Sequence, residues 1–177
     1  MFKFDNVYTT TKKSHWVNTC QYIIIHHTGW WTYLSNCKYL SVGSSPASVH
    51  FVVWENGEVA KIWDPRWILR HAWQSEWWAL KWMNSYSLGI EVVWPNKEWK
   101  FSDAQYIKLV ELIKYLMEHF KIPVEKVLKH ADIAWVWAKQ EKLRDWKTPA
   151  RKVDIKSTLW RDRWYQNFAE WRQKVLK

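Results

Sequence analysis

The run Ile23-Ile24-Ile25-His26-His27-Thr28 constrains this chain most. β-branched apolar residues packed this densely read as a buried strand, so the chain must build a sheet with a covered core. Two imidazoles at the strand's end then sit at the rim of that sheet, where sites are usually built. Read alone, His26 is better taken as a core histidine with satisfied hydrogen bonds, and the rest of the chain changes that reading. Far downstream, His130 and Asp154 offer nitrogen and oxygen ligands of the kind zinc takes.

The rest of the pattern mixes strands and helices. Gln21 to Thr28 is a strand, and Trp31 to Leu40 reads as a short helix. Strands Ser48 to Val53 and Glu58 to Ile62 flank Glu55-Asn56-Gly57, and Asn-Gly between apolar runs is the strongest short hairpin signal. Leu88 to Val93 is a further strand. Ser102 and Gln105 form a capping-box pattern. The helix that follows carries Ile107, Leu109, Val110, Leu112, Ile113, Leu116 and Met117 at helical spacing and ends before Pro123. Val124 to Val127 leads to a short strand or turn at His130, and Tyr165 to Leu176 reads as a last helix. The expectation is an α/β (α+β) fold: one mixed central sheet of about five to six strands flanked by helices.

At 177 residues the chain can form one domain with a sizeable core. It has no apolar run of about 18 residues, so no membrane span is expected. Met1 to Ser14 lacks the apolar stretch of a signal peptide, which points to the cytoplasm. Cys20 and Cys37 are too few for a disulfide framework. The net charge of +10 favours an anionic partner: nucleic acid, an acidic membrane surface or an acidic wall polymer. No nucleic-acid motif accompanies the charge, so nucleic acid is not expected.

Tryptophan is the oddity: 18 Trp stand against 4 Gly. Ordinary usage would give about a dozen glycines. Trp30, Trp31, Trp99 and Trp146 fall in stretches that read as turns, where glycine supplies positive φ. Either these indoles form an aromatic binding surface, or many of them stand for glycine, since UGA is read as Gly in some bacterial codes and as Trp in others. Trp77, Trp160 and Trp171 have neighbours that suit an aromatic.

Taken in order, the motifs are strand-His26-His27-Thr28, Ser48-Val49-His50-Phe51-Val52-Val53 before Asn56-Gly57, His71-Ala72, Asn84-Ser85-Tyr86-Ser87-Leu88-Gly89-Ile90-Glu91, Phe101-Ser102-Asp103-Ala104-Gln105, Lys129-His130-Ala131-Asp132-Ile133-Ala134 and Ala150-Arg151-Lys152-Val153-Asp154. This order resembles the zinc-dependent N-acetylmuramoyl-L-alanine amidases of type 2, which include phage lysozymes, recycling amidases and peptidoglycan recognition proteins. The resemblance covers roughly residues 20 to 155 and implies that family's fold. It divides the chain into an N-terminal extension, 1–19, and an amidase-like domain, 20–177, with an inserted loop at 135–150 and a helical extension at 156–177.

The resemblance implies zinc held by His26, His130 and Asp154. Two histidines and a carboxylate leave one tetrahedral position open for water, the catalytic arrangement. Glu91 sits in an apolar strand, where a carboxylate is costly unless it has a partner or a role. The resemblance makes it the general base, and it makes Lys152 the cation that steadies the oxyanion. His50, His71, Asn84 and Ser87 match groove positions and are carried as residues that bind substrate or support the ligands. His27 should point to the opposite face from His26. The segment between His130 and Asp154 is longer than in the short recycling enzymes, so Asp132 and Asp145 stand as other carboxylates. Of these, Asp132 is placed to orient a ligand imidazole. The implied activity is hydrolysis of the amide joining N-acetylmuramic acid to L-alanine, in peptidoglycan or anhydro-muropeptides, by a monomer. The alternatives are a wall-binding module of the same fold without catalysis and, for location, a phage endolysin released to the wall.

Overall fold

The computed structural model describes residues 2–8, 16–28, 33–41, 46–72, 75–93, 101–133 and 168–177. Its centre is a six-stranded mixed sheet of strands β1 (Asn6–Val7), β2 (Tyr22–His27), β3 (Phe51–Val53), β4 (Val59–Lys61), β7 (Ser87–Val92) and β8 (Val127–Lys129), in the order β1-β4-β3-β7-β2-β8. The strands β3, β7, β2 and β8 run parallel, and β4 is antiparallel to β3. β1, which no sequence pattern announced, pairs with β4 and draws the N-terminal segment into the sheet. A separate hairpin is formed by β5 (Glu76–Trp77) and β6 (Leu80–Lys81).

Strand β2 lies between β7 and β8, and its isoleucines are fully buried. Burying each contributes roughly 1.5–3 kcal/mol. The two-residue period splits them between faces. Ile23 and Ile25 join Leu88, Ile90 and Val92 in the larger core, beneath helices α2 (Asp103–Phe120) and α4 (Phe168–Val175). Tyr22 and Ile24 face the other way, onto Ala72, Met83, Leu128 and Ile133. On that second face a further cluster packs helix α1 (Tyr33–Ser41) through Cys37 and Leu40 onto Val52, Ala60 and Ile62. Helix α3 (His130–Ile133) follows β8 directly. Among the described residues no helix is long and apolar enough to cross a membrane.

Local signals hold with two refinements. The Asn-Gly hairpin is a three-residue loop: Gly57 N–H donates to Trp54 O at 3.0 Å, and Gly57 takes φ +88. That is the type I turn plus left-handed residue that three-residue loops use. Ser102 caps α2 by accepting from Gln105 N–H, but the Gln105 side chain does not reach back. Instead it donates to Val93 O at 2.9 Å and Val53 O at 3.4 Å, tying the helix start to two strand ends.

Candidate active site

The site lies at the carboxyl ends of the parallel strands, where open α/β sheets place their ligand crevices. His26 is the fifth residue of β2 and shares the face of Tyr22 and Ile24, whereas His27 takes the opposite face with Ile23 and Ile25. The β2–β7 register sets His26 beside Glu91, and the β2–β8 register pairs Ile25 with Lys129. The next residue along β8's path is therefore His130, opening α3 next to His26. Two strand pairings thus bring together residues 65 and 104 positions away from His26.

His26 Nδ1 lies 2.7 Å from His130 Nδ1. Two unprotonated nitrogens this close repel each other unless a proton or a cation lies between them. A tetrahedral zinc with ordinary Zn–N lengths holds ligand nitrogens about 3.3 Å apart, so the pair need open only by roughly half an ångström. The donor set fits such an ion in kind, since both atoms are imidazole nitrogens. Among the described residues no third His, Cys, Asp or Glu completes a metal cage. Asp154, Lys152 and Asp145 lie outside the described residues, as do the 135–150 loop and Trp30, Trp31, Trp73, Trp94, Trp99, Trp146 and Trp160.

Glu91 is part-buried as a residue, but its Oε2 is shut off from solvent and accepts no hydrogen bond among the described residues. Burial pushes its carboxyl up to about 8. The atom's seclusion, rather than the residue's average exposure, governs this shift, because the titrating oxygens are the groups desolvated. A carboxyl poised near neutrality suits proton transfer.

The other four predicted residues sit behind the pair. His50 is fully buried. Its Nδ1 accepts from Gly89 N–H at 2.9 Å, its Nε2 donates to Trp67 O at 3.1 Å, and burial drops its pKa to about 4. His71 Nδ1 is 3.0 Å from His26 Nε2. Asn84 Oδ1 accepts from the N–H groups of His71 (3.1 Å) and Ala72 (2.7 Å). Ser87 is fully buried and donates to Met83 O. Among the described residues Asp132 makes no hydrogen bond or ion pair to a histidine. Its carboxylate takes Lys129 N–H at 2.9 Å and faces Lys129 Nζ at 3.7 Å, fixing the β8–α3 turn.

Gly89 is the residue that sequence reading passed over. A Cβ there would lie 2.6 Å from His71 Cγ. A lone glycine within an apolar strand is the signal for such close approach.

The sequence profile of the N-acetylmuramoyl-L-alanine amidases (Amidase_2) matches residues 16–145, which span β2, β7 and β8 and so every described member of the constellation. The chain belongs to that amidase family. Comparison with curated proteins gives no match. Among solved structures, the chain resembles the N-acetylmuramyl-L-alanine amidase AmiD from E. coli, solved with anhydro-N-acetylmuramic acid-L-Ala-D-gamma-Glu-L-Lys. The TM-score is 0.57 at 22% identity, over 70% of this chain and 53% of AmiD. It resembles AmpD at TM-score 0.61 and 16% identity, over 81% of this chain and 96% of AmpD. A mutant endolysin from Bacillus subtilis matches at TM-score 0.58 and 20% identity, over 80% and 94%. Identities this low speak for the amidase fold. The chain spans about half the length of AmiD.

Proposed function

We propose that this amidase is zinc-dependent and hydrolyses the amide between N-acetylmuramic acid and L-alanine in peptidoglycan or muropeptides. The observation that carries the reading is the convergence of His26 Nδ1 and His130 Nδ1, 2.7 Å apart, beside the sheltered Glu91 carboxyl. His26 and His130 would hold the ion, with Asp154 as the third ligand. Zinc in such a setting lowers the pKa of water and polarises a carbonyl.

The chain's own residues do the rest. Glu91 takes a proton from the attacking water as its oxygen bonds to the lactyl carbonyl carbon. Lys152 steadies the negative charge that develops on the carbonyl oxygen. Glu91 then delivers the proton to the L-alanine nitrogen as the C–N bond breaks. The products are a muramic carboxylate and a free peptide amine, so atoms balance with one water consumed.

The test is release of the peptide amine from an anhydro-muropeptide and from purified wall, with and without chelator, for wild type and His130→Ala. Activity lost on chelation, restored by zinc and absent in His130→Ala is expected. Activity unchanged by either treatment would sink the zinc reading. A folded protein that retains wall but cleaves neither substrate would be a binding module instead.

A further inference from the structure

We propose that His71 is a positioning residue that fixes the tautomer of His26, and that Gly89 is glycine to seat it. The inference rests on the zinc reading of the same site. His71 Nε2 lies 3.3 Å from Ser87 O and 3.4 Å from Ser87 Oγ. A carbonyl oxygen can only accept, and the Ser87 hydroxyl spends its proton on Met83 O. Both neighbours of Nε2 are therefore acceptors, so Nε2 carries the proton. His71 is buried, and with its one ring proton on Nε2 the neutral imidazole presents Nδ1 as a lone pair.

That lone pair faces His26 Nε2 at 3.0 Å, so His26 must donate from Nε2. A neutral His26 protonated there has an unprotonated Nδ1, the atom aimed at His130. The Ser87 carbonyl thus determines, through two rings, which nitrogen of His26 is left to bind a cation. A solvent-facing imidazole would hold no such preference. The seat is built for this. Asn84 Oδ1 accepts the backbone N–H of His71, and any side chain at position 89 would meet the ring at 2.6–2.8 Å. Partners of this kind orient metal-binding histidines, and losing one typically costs about 10–100-fold in metal affinity.

The experiment uses the full chain in three forms: wild type, His71→Phe, which keeps a ring but has no acceptor, and His71→Asn, which keeps an acceptor near the Nδ1 position. Imidazole nitrogen shifts of His26 are recorded on metal-free protein at pH 8, and zinc affinity is measured by competition with a chromophoric chelator. We expect His26 as the Nε2–H tautomer in wild type, lost in His71→Phe, with zinc held about 10–100-fold more weakly and largely restored by His71→Asn. His26 protonated at Nδ1 in metal-free wild type overturns the proposal, as does a folded His71→Phe that binds zinc within twofold of wild type. Should His71→Phe not fold, the wild-type tautomer and the His71→Asn affinity still decide. A wild type that binds no zinc yet shows the Nε2–H tautomer fails the zinc reading and not this one.

Four described non-glycine residues have positive φ, and two are tryptophans: Trp78 at φ 54 and Trp82 at φ 63, ψ 61. Trp78 is the first of two turn residues between the paired Trp77 and Leu80, a position where tight hairpins favour glycine. The two are 90% and 53% exposed, so core packing does not hold the indoles in a left-handed backbone. Trp63 and Trp171 differ: both are buried, and each Nε1 donates a hydrogen bond, to Leu40 O and to Tyr106 Oη. We infer that positions 78 and 82 are specified by UGA and are glycine in the protein its host makes. Reading the two codons tests this directly, with UGA at both expected and UGG at both overturning it. A Trp78→Gly, Trp82→Gly double variant should raise Tm by a few degrees, and a lowered Tm would count against it.

Discussion

Replacing Glu91 with glutamine should remove a pH dependence from the stability of the metal-free protein. Glu91 titrates at about 8 in the fold against about 4.5 in the open chain, because burial disfavours its charged form. Between those values the folded state keeps a proton that the unfolded state releases, so stability falls as pH rises. Each pH unit costs about 1.4 kcal/mol, which sums to roughly 5 kcal/mol between pH 4.5 and pH 8 as an upper figure. The stabilising contribution is complete below about pH 4.5 and gone above pH 8. Glutamine has the same shape and cannot ionise. Urea unfolding of chelator-treated wild type and Glu91→Gln, from pH 4.5 to 9, reads the difference. The two should coincide near pH 4.5, and the variant should be several kcal/mol more stable at pH 8. Parallel curves would refute the argument, because they would mean that the carboxylate is solvated or paired in the native state.

His50 works in the opposite direction. Held at about 4 against an ordinary 6.5, it should cost roughly 3 kcal/mol of stability as pH falls from 6.5 to 4, and His50→Gln should flatten that acid limb in denaturant unfolding. Gly89→Ala puts a methyl 2.6 Å from His71 Cγ, so it should lower zinc affinity about as far as His71→Phe does, measured by the same chelator competition. Ser102→Ala removes the α2 cap and should cost about 1 kcal/mol, a Tm loss of about 2–4 °C by calorimetry, with hydrolysis unchanged.

Much of the architecture was legible because each element announces itself locally. The Ile23–Ile25 run gave β2, Asn56-Gly57 gave the β3–β4 hairpin, and Ser102 gave the start of α2. What those signals share is a short range: a strand's burial or a helix's first turn is decided by its own few residues. β1 was not legible. Asn6–Val7 is only two residues long and is exposed, so it carries no burial pattern, and it is fixed by pairing with β4 and by Asp5, whose carboxylate accepts Val59 N–H. The β5–β6 hairpin was equally silent, since its turn carries Trp78-Ala79 where a turn signal would be glycine.

The site divides along the same line. The family resemblance singles out His26, and alternation puts His27 on the opposite face, because the period of a strand is a local rule. The roles of His71 and Ser87 could not be read that way, because they depend on which atoms meet across β7 and on where one hydroxyl proton goes. A histidine's two nitrogens are equivalent in a sequence and become distinct only through their neighbours. The same logic explains why Gly89 matters more than its size suggests. Its N–H holds His50 while its missing side chain admits His71, so one residue serves two buried rings. Substitution there acts first on ring position and only then on metal affinity. Gly89→Ala and His71→Phe should therefore weaken zinc binding no further together than His71→Phe does alone. Additive losses in that double variant would mean that position 89 reaches His26 by another route, through His50 or the β7 backbone.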